Sequence, residues 1–118
     1  MRPILCLIGC VVFTGVCSAQ TKVAVQNGTT LLANCAHAAH DDVDPTAPMP
    51  QEDGFCYGYI LGVDDASGRQ HCRPEGTILV QNVRVVVKWV KDHPERLHER
   101  ADRLILQAFN NAFPCKVH

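Results

Sequence analysis

The sequence predicts a small all-α domain of four helices braced by two disulfides. Apolar residues recur with the 3.6-residue period of an amphipathic helix in four segments, which are separated by loops containing proline or glycine. The chain of 118 residues opens with a leader-like segment, and the remainder carries four cysteines. An even number of cysteines in a short exported chain is typical of a disulfide framework. No internal repeat is present, so we expect one domain.

Residues 1–19 have the layout of a cleaved secretory signal peptide. Arg2 supplies a positive start, residues 4–16 are apolar, and Ser18 and Ala19 are small residues suited to a cleavage site. The apolar run is shorter than the roughly 20 residues that cross a bilayer, which argues against a membrane span. Lipidation of Cys10 is a second alternative, but almost no apolar region precedes this cysteine. We expect a mature domain over 20–118 with no stable membrane insertion.

The mature domain retains Cys35, Cys56, Cys72 and Cys115, which we expect to form two disulfides. Each such bond contributes roughly 2–4 kcal/mol by restricting the unfolded chain. A zinc site is disfavoured, because the cysteine spacings of 21, 16 and 43 residues contain no CxxC pair. No metal, cofactor or catalytic residue is predicted.

Charge is distributed unevenly along the mature chain. Residues 20–65 carry one lysine against seven acidic residues, whereas residues 66–118 carry nine basic residues against five acidic ones. No basic patch with interleaved aromatic residues occurs, so nucleic acid is not an expected partner. The acidic half is suited to steering a basic protein surface towards it. A solvated surface of uneven charge is the alternative.

The central predicted helix spans about Phe55–Asp65 and is expected to be held by Cys56. Asp53 is the expected N-cap, since its carboxylate can accept from free N–H groups of the first turn. Gly58 and Gly62 lie four residues apart, which indicates a flank where another helix packs closely. The expected apolar stripe comprises Phe55, Cys56, Tyr59, Ile60 and Val63.

Three further helices complete the prediction. Asn27–Thr30 offer N-caps for a first helix to about His40, after which a proline-bearing acidic loop covers 41–52. Thr77 is the expected cap of a third helix to about Lys91, although its valines also fit a buried strand. A fourth helix starts near Pro94 and includes a favourable Glu99–Arg103 pair. Its apolar positions are Leu97, Ala101, Leu104, Ala108 and Ala112.

Catalytic chemistry has little support in the residues. The mature chain has one serine, Ser67, without a nucleophile elbow, and the cysteines are expected to be oxidised. His40–Asp41 resembles the His-Asp pair of secreted phospholipases, but the glycine-rich calcium loop of those enzymes is missing. His37 and His40 lack a third metal ligand at a defined spacing. A binding protein or inhibitor therefore fits better than an enzyme, with a small secreted hydrolase as the minor alternative.

A set of spaced residues through nearly the whole mature chain resembles the Rap/Tai immunity-protein family. The matching residues are Leu31-Leu32-x-x-Cys35, Phe55-Cys56-x-Gly58-Tyr59-Ile60-x-Gly62-x-x-Asp65, Cys72-x-Pro74, Gln81, Val85-Val86, His93-Pro94-Glu95-x-Leu97-His98, Ala101 and Ala112-Phe113-Pro114-Cys115. The resemblance implies a small, often dimeric, all-α periplasmic protein. It would protect the cell from a type VI secretion effector, a peptidoglycan-cleaving cysteine amidase, by blocking the amidase cleft.

The resemblance also implies structural cysteines, with Cys35–Cys56 and Cys72–Cys115 as the expected bonds and the other pairings left open. The contact surface is expected at the end of the central helix and the 66–76 loop, then at the acidic loop. The expected partner-binding residues are Asp64, Asp65, Ser67, Arg69, His71 and Tyr57, followed by Asp41, Asp42 and Asp44. A general envelope-stress or chaperone-like protein without a dedicated toxin is the alternative function.

Overall fold

Four α-helices form the part of the chain that the computed structural model describes, residues 26–40, 46–68 and 70–116. The helices are α1 (Gly28–Cys35), α2 (Gln51–Ala66), α3 (Leu79–Lys91) and α4 (Ala101–Ala112), and a 3-10 turn covers Pro94–Arg96. Every helix contacts the other three. The predicted four-helix class is confirmed, and the valine-rich segment is a helix. The predicted leader and Cys10 lie outside the described residues.

One hydrophobic core lies between the four helices. It is built chiefly from the apolar stripes of α3 and α4, which have strongly amphipathic sequences. The largest fully buried apolar side chains are Phe109, Leu31, Ile60, Leu104, Ile105, Val83, Val86 and Val90. Each side chain of this kind contributes roughly 1.5–3 kcal/mol when it leaves water. The core therefore fixes α2 against α1, α3 and α4, and leaves its opposite face in solvent.

The two predicted disulfide pairings are confirmed. Cys35–Cys56 joins the end of α1 to α2, and both residues are fully buried. Cys72–Cys115 joins the loop after α2 to the segment after α4, and both residues are exposed. The first disulfide thus links the N-terminal half of α2 to α1, and the second links the loop after α2 to the segment after α4.

The start of α1 is held by a capping box and by a close backbone approach. The Asn27 side chain accepts from the Thr30 N–H at 3.0 Å, and the Thr30 hydroxyl accepts from the Asn27 N–H at 2.9 Å. The Gly28 N–H donates to the Glu99 carbonyl at 3.2 Å. A Cβ at Gly28 would lie 2.9 Å from the Leu97 Cα. Only glycine fits this position without displacement.

The same contact explains why α4 begins later than predicted. The Ala101 N–H donates to the Gln26 carbonyl at 2.9 Å, and Asn27 and Arg100 form an isolated antiparallel bridge. Residues 97–99 form a turn and a bend, and the bridge holds Arg100 in an extended conformation, so α4 starts at Ala101. Glu99 consequently bonds Arg96 through both carboxylate oxygens, and the predicted Glu99–Arg103 pair is wrong.

Two other predicted boundaries need correction. α1 ends at Cys35, and residues 36–39 form turns, with a bond from the His40 N–H to the His37 carbonyl at 3.0 Å. At the third helix, the Thr77 hydroxyl donates to the Pro74 carbonyl at 2.7 Å. Thr77 therefore closes the preceding loop, and α3 begins at Leu79 without a side-chain cap.

α2 starts four residues earlier than predicted, directly after Pro50. Asp53 is the third residue of the helix and is 1 % exposed, so the prediction of Asp53 as N-cap is wrong. Its side chain turns inward because it binds His37 from the turn after α1. The apolar stripe is also shifted, since Phe55 is exposed whereas Cys56 and Ile60 are buried.

Candidate functional site

The inner face of α2 carries two buried carboxylates among apolar residues. Asp53, Cys56, Ile60 and Asp64 are the buried residues of this helix, and their spacing of three or four places them on one stripe. A buried carboxylate is costly unless it is paired and hydrogen-bonded. The partners of the two carboxylates therefore decide what lies at each end of α2.

Asp64 binds two side chains from the loop that follows α2. Its Oδ1 lies 3.0 Å from His71 Nε2, and its Oδ2 accepts from Arg73 Nη1 at 2.6 Å. The His71 side chain is 2 % exposed, and its Nδ1 has no hydrogen-bond partner. The bond to Asp64 therefore fits the imidazole tautomer with its proton on Nε2. The His71 ring also contacts the Phe109 ring, with centroids 4.8 Å apart.

The loop after α2 is held at several points beyond Asp64. The Ser67 hydroxyl donates to the Asp64 carbonyl at 2.7 Å, and the Ser67 N–H donates to the same carbonyl at 3.2 Å, so Ser67 caps the end of the helix. Gly68 follows with a φ of 67°, the left-handed conformation that glycine adopts readily after a helix. The Cys72 N–H donates to the Phe113 carbonyl at 2.9 Å, beside the Cys72–Cys115 bond. The loop is thus fixed to both α2 and the end of α4.

The outer face of α2 forms one wall of a groove whose other wall is α4. The groove has a volume of about 480 Å³. It is lined by Gly58, Tyr59, Gly62, Val63 and Ala66 of α2, by Ser67 and Gln70 of the loop, and by Asp102 and Leu106 of α4. We call this surface the glycine groove. The exposed Phe55 ring stacks on Tyr59 with centroids 5.7 Å apart and extends the apolar surface along α2.

The glycines of the groove do not pack against another helix in the described part of the chain. A Cβ built at Gly58 or at Gly62 meets no atom within 4 Å. The expectation that they bring two helices of this domain together is therefore wrong. A glycine inside a helix costs roughly 1 kcal/mol relative to alanine. The described fold gains no contact in return, so the space is open to a partner.

Two titratable groups of the groove are perturbed by their surroundings. Burial raises the pKa of Tyr59, and the negative charge of Asp102 adds to this effect. A hydrogen bond from Arg100 lowers the pKa of Asp102, so this carboxylate is ionised at neutral pH. Arg100 binds both carboxylate oxygens, at 3.0 and 2.7 Å. The α4 wall therefore presents a matched ion pair at Asp102 and an apolar surface at Leu106.

The predicted partner-binding residues fall into three groups. Asp65 is exposed, and Tyr57 and Ser67 are half-buried. Asp64 and His71 are buried and bonded to each other, and their contact with a partner stays a prediction. The remaining residues, Arg69, Asp41, Asp42 and Asp44, lie outside the described residues.

Tyr57 lies on the opposite flank of α2 from the groove, near a histidine–aspartate pair that the sequence analysis missed. Its hydroxyl donates to the Ala38 carbonyl at 3.4 Å. Burial raises the pKa of Tyr57, and the charge of Asp53 adds to this effect. Asp53 Oδ2 lies 2.7 Å from His37 Nδ1, and the His37 side chain is 57 % exposed. Asp53 Oδ1 has no partner in the described part of the chain.

In the described part of the chain, neither a serine nor a free thiol lies beside the His37–Asp53 pair to support the hydrolase alternative. Ser67 lies fourteen residues along the same helix, which is roughly 21 Å at the helical rise. The cysteines of the described residues, Cys35, Cys56, Cys72 and Cys115, are all disulfide-bonded. His40, the histidine of the predicted pair, is exposed, and Asp41 lies outside the described residues.

One sequence feature indicated the position of the groove. The spacing of Gly58 and Gly62 marks a surface for close approach, but it does not say whether the approaching element belongs to the same chain. Gln70, Asp102 and Leu106 carried no such signal, because their position depends on how α4 packs against α2. Within 26–40, 46–68 and 70–116, no three metal-ligating side chains converge on one point.

Comparison with known proteins gives a family assignment. No described helix combines the length and apolarity needed to cross a membrane. No curated protein and no solved structure matches the chain. The family model of the Rap1a immunity proteins matches residues 27–115, from the Asn27 cap to the last cysteine of the second disulfide. The chain belongs to the Rap1a immunity protein family.

Proposed function

We propose that this chain is a periplasmic immunity protein that binds and blocks a peptidoglycan-cleaving amidase delivered by type VI secretion. The observation that carries the proposal is the family match over residues 27–115, which covers all four helices. An immunity protein of this kind acts by binding a secreted effector and needs no turnover. Within 26–40, 46–68 and 70–116, neither a serine nor a free thiol lies beside the His37–Asp53 pair, which is consistent with that role.

Localisation in the periplasm is supported by two features. The two disulfides need an oxidising compartment, because cytosolic reductants keep most thiols reduced. The predicted leader over 1–19 would bring the chain there. A peptidoglycan amidase acts in the same compartment, so the two proteins would meet where the effector does its damage.

The proposed contact surface is the outer face of α2 together with the loop that follows it. Asp65 is exposed on this face, and Ser67 lies at the helix end. The buried Asp64–His71 and Asp64–Arg73 bonds and the Cys72–Cys115 disulfide hold the loop in place before a partner arrives. A preorganised surface loses less conformational entropy on binding. Steric occlusion of the amidase cleft, with acidic groups facing a basic rim, is the proposed mechanism.

Other residues that the sequence predicts to contact the effector are also proposed as contacts. Tyr57 offers a half-buried ring on the opposite flank of α2. Arg69 and the acidic residues Asp41, Asp42 and Asp44 are retained on sequence grounds alone. Formation of a homodimer by the free protein is also proposed from the resemblance.

The experiment uses the effector encoded by the neighbouring reading frame. Purified effector and purified mature chain are titrated by calorimetry, and cells that receive the effector in the periplasm are scored for lysis with and without this chain. We expect tight binding, inhibition of peptidoglycan cleavage and full protection. Absence of binding, together with unprotected cells, would contradict the proposal.

A charge-reversal pair locates the surface. Asp65→Arg places a positive charge on the outer face of α2, and Glu95→Arg makes the same change at an exposed position after α3. We expect at least a tenfold rise in Kd for Asp65→Arg and less than a twofold change for Glu95→Arg. Equal changes in Kd for the two variants would show that the outer face of α2 is not the contact surface.

A further inference from the structure

The two disulfides differ in how easily a reagent in solution can reach them. Cys35 and Cys56 are both 0 % exposed and lie in the hydrophobic core. Cys72 and Cys115 are both exposed, one in the loop after α2 and the other in the segment after α4. A thiolate opens a disulfide by direct attack on a sulfur atom, so access decides which bond reacts. Cys72–Cys115 is therefore the bond that a thiol reagent can open in the folded domain.

The exposed disulfide joins two segments that contact each other around a buried histidine. His71 directly precedes Cys72, and its side chain is 2 % exposed. The His71 ring lies 6.3 Å from the ring of Phe113, measured between centroids, and Phe113 is two residues before Cys115. The Cys72 N–H donates to the Phe113 carbonyl at 2.9 Å. The disulfide, this hydrogen bond and the ring contact together hold the loop after α2 against the segment after α4.

The closed arrangement of these two segments leaves one polar atom of His71 without a partner. In the described part of the chain, His71 Nδ1 is buried and makes no hydrogen bond. A buried polar atom of this kind costs free energy, which hydration would recover. Separation of the two segments would admit water to Nδ1 while Nε2 stays bonded to Asp64. The disulfide is thus a covalent link that opposes the hydration of His71.

The rest of the domain does not depend on the exposed bond. The buried hydrophobic cluster of the described residues contains neither Cys72 nor Cys115. The Cys35–Cys56 bond joins α1 to α2 independently. The loop also keeps a separate attachment to α2, because Arg73 donates to Asp64 at 2.6 Å. We therefore expect the four helices to stay folded when Cys72–Cys115 opens.

We propose that Cys72–Cys115 is a thiol–disulfide exchange site for a dithiol reductant, which opens this bond while Cys35–Cys56 stays oxidised. A thiolate of the dithiol attacks one sulfur, forms a mixed disulfide and releases the other cysteine as a thiolate, which takes up a proton. The second thiol of the dithiol loses its proton, attacks the mixed disulfide and releases the first cysteine, which is protonated in turn. Two electrons and two protons pass to the cysteines, and the dithiol becomes a disulfide.

Reduction of this bond is expected to weaken binding of the effector, a consequence that rests on the proposed function. The loop after α2 belongs to the proposed contact surface. The oxidised loop is already ordered, whereas a loosened loop loses conformational freedom when it binds. The redox state of Cys72 and Cys115 would then regulate the affinity of the chain for its effector.

The first test measures which disulfide reacts. The oxidised mature chain is treated with dithiothreitol, and the thiols that form are alkylated and located by peptide mass spectrometry. We expect Cys72–Cys115 to open at least tenfold faster than Cys35–Cys56 in the folded domain, and the two bonds to open at similar rates in urea. Similar rates in the folded domain, or an undiminished preference in urea, would overturn the proposal, because burial would then not govern the reaction.

The second test asks whether reduction separates the two segments. Hydrogen exchange is followed by NMR in the oxidised chain and in the selectively reduced chain. We expect the Cys72 N–H to exchange at least tenfold faster after reduction, and the Leu31 N–H, bonded to the Asn27 carbonyl at 2.9 Å, to keep its rate. Unchanged exchange at Cys72 would overturn the release of the loop. Faster exchange at both amides would overturn the survival of the fold.

The third test connects the bond to the effector. The double variant Cys72→Ser with Cys115→Ser lacks the bond without any reductant, and calorimetry gives its Kd for the effector. We expect a Kd at least tenfold above that of the unmodified chain. Tight binding with the same Kd in both chains would overturn the regulation and leave the immunity function standing. No binding by either chain would remove the immunity function and the regulation, whereas the first two tests decide the exchange site without the effector.

Discussion

The two ends of α2 are held by the same kinds of contact in opposite arrangements. At the N-terminal half, the Cys35–Cys56 disulfide is fully buried, whereas His37, which binds Asp53, is largely exposed. At the C-terminal end, Asp64 and its partner His71 are buried and Arg73 is partly buried, whereas the disulfide beside them is exposed. Each end therefore has one contact in the core and one at the surface.

The difference indicates which contact fixes each neighbouring segment. The turn after α1 depends on the buried disulfide, because the His37 side of the His37–Asp53 pair is open to water, which weakens the pair by screening. The loop after α2 depends on Asp64, because both of its oxygens are bonded to loop residues away from solvent. If the loop forms part of the contact surface, Asp64 supports function without touching the partner.

The largest expected effect comes from removing Asp64. Asp64→Ala leaves Arg73 and the buried His71 without their carboxylate partner, and loss of a partly buried ion pair together with a buried hydrogen bond costs roughly 3–5 kcal/mol. Asp53→Ala is expected to cost roughly 1–3 kcal/mol, because His37 can bind water instead. Urea unfolding followed by circular dichroism measures both values. Equal losses in the free energy of unfolding would show that Asp64 and Asp53 stabilise the domain to the same extent.

The disulfides provide the second test of the comparison. Loop entropy alone gives roughly 3 kcal/mol for the 21-residue separation of Cys35–Cys56 and roughly 4 kcal/mol for the 43-residue separation of Cys72–Cys115. We expect the opposite order in the two double Cys→Ala variants, because the buried sulfurs also fill the core and their loss leaves a cavity. Urea unfolding of the double variants decides between these orders. A larger loss for Cys72–Cys115 would mean that chain entropy outweighs burial.

Gly28 anchors the start of α1 and so holds its Cys35 end against α2. A Cβ there would lie 2.8 Å from Leu104 Cδ1 and 2.9 Å from the Leu97 Cα. We expect Gly28→Ala to destabilise the domain by roughly 1–3 kcal/mol through overpacking. Gly54→Ala, the control on α2, should stabilise the domain by up to about 1 kcal/mol. Calorimetry gives the direction of the Tm change for each variant. A rise in Tm for Gly28→Ala would contradict close packing around Gly28.

The helices could be predicted because their signals are local. The apolar period marked α3 and α4, and the polar run at Asn27 marked the start of α1, which the capping box confirms. The boundaries that were predicted wrongly depend on distant residues. Asp53 is drawn inward by His37, and α4 starts at Ala101 because Gln26 pairs with it. No local pattern contains these contacts.

The candidate site was only partly predictable for the same reason. Asp64 and Asp65 are neighbours in the sequence, yet one is buried and the other exposed, because successive residues on a helix differ by about 100°. The sequence pattern indicated this end of α2 but did not distinguish the buried carboxylate from the exposed one. The spacing of Gly58 and Gly62 predicted close helix packing, but no atom of the described residues lies within 4 Å of a Cβ at either position.

The smallest expected effect concerns Asp102, the ionised group in the wall of the glycine groove. A hydrogen bond from Arg100 holds the pKa of Asp102 below its ordinary value of 3.8. Because the folded pKa is the lower one, the stabilisation is complete above the unfolded value and is lost as the pH falls through the folded pKa. For a partly exposed pair we expect at most about 1 kcal/mol. An NMR titration of the Asp102 carboxyl carbon should show the pKa rising towards 3.8 in Arg100→Gln and staying low in Arg96→Gln, whose arginine binds Glu99. If the pKa stays low in Arg100→Gln, the Arg103 N–H, which donates to Asp102 at 3.0 Å, is the main cause, and the α4 wall keeps its negative charge without Arg100.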